Sequence, residues 1–100
     1  MTANQLQNII QTILNDPSYS RYQSPSVKQV GVDAKGKDIF NCEIVCNFIP
    51  NSLYPQSNSP NITNENYNNK ILSFDVEQRF NPIPLPQEIR IFLHGFMHLK

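Results

Sequence analysis

Two histidines, His94 and His98, flank Gly95 and Met97 in the stretch IFLHGFMHL (residues 91–99), and they are the side chains of this chain with the widest chemical scope. On a helix, residues four apart stand about 6 Å from each other on one face and could share a metal ion. On a strand they share a face at ~13 Å, from a rise of ~3.3 Å per residue, which is too far. The surroundings set Ile89, Ile91 and Leu93 against Phe92 and Phe96, and with Gly95 this pattern predicts a strand over 88–98. No metal site is therefore expected. Cys42 and Cys46, also four apart, fall on a second predicted strand, where a free cysteine acts as a small hydrophobe. Two cysteines are too few for a disulfide framework or a four-cysteine zinc site.

Asp75 and Glu77, with Arg79, share one face of a third predicted strand. Carboxylates so placed could hold Mg²⁺ against a phosphate. The stretch resembles the acidic strand of metal-dependent nucleases, although the Glu-x-Lys element is absent. That resemblance implies the alternative function, a metal-dependent nuclease or nucleic-acid-binding protein using Asp75 and Glu77. Lys28, Lys35 and Lys37 could touch phosphate, but Asp33 and Asp38 accompany them, so nucleic acid is not the expected partner. Glycines occur at 31, 36 and 95, and none belongs to a phosphate-cradling loop. Residues 91–96, an apolar strand running into His-Gly, resemble the oxyanion strand of α/β-hydrolases. The G-x-S-x-G elbow of that family is missing, so no catalytic role is assigned to His94. No catalytic residue, cofactor or small-molecule ligand is expected.

The bulk composition points away from charged partners. Of the 100 residues, 16% are charged, below the roughly 25% usual for soluble domains. Asparagine, at 13 positions, takes up much of the difference. The formal net charge is zero, so no long-range field steers the chain to nucleic acid or an anionic membrane. No apolar run reaches the ~18 residues of a membrane span. The N-terminus shows no signal-peptide pattern, so Asn61-Ile62-Thr63, a glycosylation sequon, is read as chance. The expected setting is cytoplasmic, as a host or virus-particle component.

The elements that must position these residues follow from periodicity. Leu6, Ile9, Ile10, Ile13 and Leu14 form a helical stripe, and Thr2 with Gln5 fits a capping box, predicting a helix over 2–15. Strands are predicted over about 27–34, 38–49 and 71–80, with a polar loop over 50–70. An odd-numbered turn around Gly36, at positive φ, would set Val30 and Val32 on the core face with Phe40 and Cys42. Pro82, Pro84 and Pro86 predict a stiff extended connector into the last strand.

These readings combine into a single α+β domain, a helix packed on an antiparallel sheet of about four strands. The expected function is a small non-enzymatic subunit or adaptor. It acts by protein–protein association, with a partner or with itself, in a larger assembly such as a virion. The expected contact residues are Phe92, His94, Phe96 and His98 on the last strand and Tyr54 and Tyr67 on the loop.

Overall fold

The computed structural model describes residues 1–48, 61–77 and 83–97. Helix α1 spans Ala3–Leu14. The Thr2 hydroxyl accepts from the Gln5 N–H at 3.1 Å, and the Gln5 amide oxygen accepts from the Thr2 N–H at 2.8 Å. This reciprocal cap satisfies two N–H groups that the helix itself cannot. Leu6, Ile10, Ile13 and Leu14 are buried, so the predicted stripe is the packed face. At Asp16-Pro17 the chain turns into a short 3₁₀ segment, Pro17–Tyr19, where the Asp16 carboxylate accepts from the Ser18 N–H at 2.9 Å.

Four strands follow: β1 (Tyr22–Val32), β2 (Asp38–Cys46), β3 (Ile62–Asn68) and β4 (Ile71–Glu77). They form one antiparallel sheet in the order β1-β2-β4-β3. The α+β architecture with an antiparallel sheet is thus as the sequence indicates, but three elements differ from expectation. β1 starts at Tyr22, five residues early, and its register slips between Gln23 and Ser26 and again between Gln29 and Gly31. β3 occupies a stretch expected to be loop. Asn69 and Lys70, both at positive φ (53° and 66°), close the β3–β4 hairpin. Two consecutive left-handed residues make a turn whose twist matches that of the strands.

The third difference is the largest. The segment expected as a final strand is helix α2, Leu85–Met97. Its buried residues, Leu85, Glu88, Ile89, Phe92, Leu93 and Phe96, recur at three- and four-residue intervals on one face. Pro84 and Pro86 do not make an extended connector; they begin the helix, where a missing N–H leaves nothing unpaired. The Pro84 carbonyl accepts the first backbone bond, from Glu88 N–H at 3.0 Å.

The core lies between the two helices and one face of the sheet. Phe40, Cys42, Ile44 and Cys46 of β2 and Leu72, Phe74 and Val76 of β4 supply the sheet side. Phe74 meets Phe92 edge-on with ring centroids 4.9 Å apart. Phe96 receives Phe48 and Tyr67 at 5.8 and 5.7 Å. Burying each such ring stabilises the fold by roughly 1.5–3 kcal/mol. Tyr22, buried at the start of β1, donates its hydroxyl to the Leu93 carbonyl of α2 at 2.7 Å, tying sheet to helix.

Candidate interaction surface

The β1–β2 hairpin runs beyond the helices that cover the sheet. Phe40 is the last buried residue on β2 toward the turn, and every β1 residue from Lys28 to Val32 is exposed. Val30 and Val32 are exposed by 52% and 59%. A Cβ added at Gly31 would meet nothing within 4 Å, consistent with an arm in open space.

The turn is nevertheless well ordered by its own bonds. The Asp33 carboxylate accepts from the N–H groups of Lys35 and Lys37, both at 2.8 Å. The Asp33 N–H donates to the Lys37 carbonyl at 2.8 Å, and Gly36 takes φ 78°. The five-residue connection between β1 and β2 is odd-numbered, with Gly36 left-handed, as expected. The valines nevertheless do not reach the core. Val32 pairs with Asp38, the expected even sum of residue numbers that sets it on the face of Phe40, but it stands past the last buried residue. The register slip between Gln29 and Gly31 then changes the parity, so Val27 stands opposite Cys42. Alternation alone carried no signal for that extra residue.

The other residues singled out from sequence are scattered. Phe92 and Phe96 point into the core, and Tyr67, half-buried, donates its hydroxyl to the Phe48 carbonyl at 3.3 Å. His94 is exposed on α2, its ring 6.4 Å from Tyr19. Tyr54 and His98 lie outside the described residues. Among the described residues, no group of three or more His, Cys, Asp or Glu side chains is placed to hold a metal ion.

The structure separates the environments of Asp75 and Glu77. On the open face of the sheet, Asp75 Oδ1 accepts from Asn41 Nδ2 at 3.1 Å and Oδ2 from Asn64 Nδ2 at 2.8 Å. Asn64 reaches it from a bulge at φ 55°. Glu77 is buried, and its N–H donates to the Asn61 carbonyl at 2.9 Å. Asn61 in turn donates its side-chain amide to Glu88 Oε1 at 2.9 Å. The sequon asparagine is thus only 2% exposed and engaged in the core, out of reach of a glycosylating enzyme once the chain has folded.

Two further features have defined chemistry. Burial pushes the Cys42 thiol up to about 12 and the Cys46 thiol up to about 11, so both stay protonated and unreactive. Between α1 and α2 lies a cleft of about 330 Å³, lined by Ile9, Thr12, Ile13, Pro86, Gln87 and Arg90. Arg90 sits over the Tyr19 ring at 5.6 Å and meets the Asp16 carboxylate at 3.4 Å. Neither α1 nor α2 is long and apolar enough to cross a membrane. Comparison with protein-family models, with curated proteins and with solved structures finds no match for this chain.

Proposed function

We propose that this chain is a non-enzymatic subunit or adaptor that works by protein–protein association, and that its β1–β2 hairpin is the contacting arm. The observation that carries the reading is the exposure of Val30 and Val32, by 52% and 59%, on a hairpin that extends past the core. A turn fixed by several hydrogen bonds to Asp33 presents those valines at little further loss of conformational freedom. Assembly with other chains, in the cytoplasm or in a virus particle, is the setting this role implies. The hydrogen bonds from Asn41 and Asn64 to both oxygens of Asp75 speak against the nuclease alternative, because a metal ion would have to displace them.

The test compares the wild type with a Val30→Asp/Val32→Asp variant by sedimentation and by affinity capture from the native source. The expected result is a defined complex or oligomer that the variant fails to form while retaining the wild-type melting curve. A wild type that sediments as a lone monomer and captures nothing overturns the proposal. So does Mg²⁺-dependent nuclease activity that disappears in Asp75→Asn.

A further inference from the structure

The arm that carries the two valines also carries unequally engaged charges. Over residues 28–38, beyond Glu43 at the base of the hairpin, its cations are Lys28, Lys35 and Lys37, and its anions are Asp33 and Asp38. Both anions are used within the hairpin. Asp33 accepts the N–H groups of Lys35 and Lys37, and Asp38 Oδ1 accepts from Gln29 Nε2 at 2.9 Å. The three lysines are exposed, and among the described residues their ammonium groups form no ion pair; the pair that is formed there joins Arg90 to Asp16. A carboxylate held by two backbone amides is fixed toward its own turn. An ammonium on a free four-carbon stem can meet an incoming anion without breaking a native bond.

Backbone pairing along β1 is disfavoured as the mode of contact. The register of β1 slips twice, Ser24 is left-handed at φ 52°, and Pro25 has no N–H to offer. Bulges, proline and an edge lysine are devices that blunt a strand edge. Contact at the arm is therefore made by side chains, aliphatic at Val30 and Val32 and cationic at the lysines.

We infer, building on the reading of the hairpin as a contacting arm, that its partner is a protein segment in which carboxylates alternate with aliphatic side chains. The aliphatic half of that surface favours polypeptide over nucleic acid. A phosphate backbone gives Val30 and Val32 nothing apolar to cover, and residues 28–38 include no aromatic ring on which a base could stack. Three cations against two anions over residues 28–38, with Glu43 further along β2, is also well short of the basic patch that nucleic-acid binding requires.

The experiment is an NMR titration of the ¹⁵N-labelled full chain with a synthetic peptide of alternating glutamate and valine. Glutamine–valine and lysine–valine peptides and an oligothymidylate serve as the other probes. The expected result is saturable shifts of the amides of residues 28–38 with the acidic peptide, the affinity falling roughly tenfold between about 50 and about 500 mM salt. Lys35→Glu/Lys37→Glu should weaken binding at least about tenfold, and Lys35→Gln/Lys37→Gln by less, with melting curves unchanged because both side chains are exposed. Equal binding of the glutamine–valine or lysine–valine peptide at the hairpin overturns the acidic preference but leaves the association reading standing. Binding of the oligothymidylate there, or concentration-dependent shifts with no peptide that reveal a second copy of the chain, overturns the inferred partner. Absence of any hairpin shift overturns it too; combined with a wild type that sediments alone and captures nothing, that result removes the association reading as well.

Discussion

The Tyr22 hydroxyl is the most informative single group to remove. It sits in a buried ring, donates to the Leu93 carbonyl at 2.7 Å, and joins β1 to α2 across the core. Tyr22→Phe keeps the ring and its edge-on contact with Phe48, whose centroid is 5.3 Å away, so no cavity larger than an oxygen atom opens. The loss is then one buried hydrogen bond, about 1 kcal/mol net. For a domain of this size that lowers Tm by roughly 4–8 °C. A second signature is in the pH dependence. Burial raises the Tyr22 pKa, so the folded protein keeps the proton that the unfolded chain releases above pH ~10. Stability from this group is fully present below that pH and is lost above it, by roughly 1.4 kcal/mol per pH unit. Phenylalanine has no proton to lose, so the advantage of the wild type should vanish by about pH 11. Urea titrations followed by circular dichroism at pH 7, 10 and 11 would measure both effects. A Tyr22→Phe protein as stable as wild type at pH 7, or a stability gap that stays constant to pH 11, would refute the reasoning.

Three other outcomes are expected. Cys42 and Cys46, whose raised thiols likewise favour folding below the unfolded thiol pKa and cease to as pH rises from ~9 toward 11–12, should react with a thiol reagent only at the rate of unfolding, with half-times that shorten in added urea. Asn61→Asp, which sets a second carboxyl beside Glu88 in a buried site, should destabilise the fold at pH 7 by about 2–4 kcal/mol in chemical denaturation, whereas Asn61→Ala should cost about 1–3 kcal/mol. Thr2→Ala removes half of the capping box and should cost about 1 kcal/mol, with Thr2→Ser restoring most of it in thermal melts.

How much of this was legible in the sequence depends on whether an element kept its period. In α1 the apolar stripe and the Thr2–Gln5 cap agree, and the structure reproduces both. β2 and β4 pair without a register slip and alternate as far as Val76, and they form the centre of the sheet. β1 and β3 each contain extra residues that reset the alternation. Tyr22 and Val27 pair with Cys46 and Cys42, and Ile62 and Tyr67 with Val76 and Leu72, in each case five residues apart on the outer strand and four on the inner. A period-2 reading necessarily loses such strands, and the asparagines of β3 further disguised it as loop. For α2 the period itself is ambiguous in the sequence. Ile89, Phe92, Leu93 and Phe96 are a helical set, but the adjoining Ile91 and Gly95 completed a false alternation. The exposed end of the β1–β2 hairpin is hidden from a period-2 reading in part for the same reason. Val30 looks like a core residue until the bulge beside it is known, and Val32, on the face of Phe40, stands past the last buried residue.

The order β1-β2-β4-β3 also has a consequence for how the chain assembles itself. Each outer strand is joined to an inner one by a short turn, so two hairpins can close early and locally. The seam between them, from Val45–Ile71 to Ile39–Glu77, links residues far apart along the chain. Closing it carries the larger loop-entropy term, and it must precede or accompany the docking of α2, whose Leu93 carbonyl awaits the Tyr22 hydroxyl from the opposite half. The rate-limiting event of folding should therefore be the meeting of a helix-plus-hairpin half with a hairpin-plus-helix half. Substitutions at the seam, such as Ile44→Val or Leu72→Val, should slow folding, whereas changes at the Asp33–Lys37 turn should act mainly on the stability of one half.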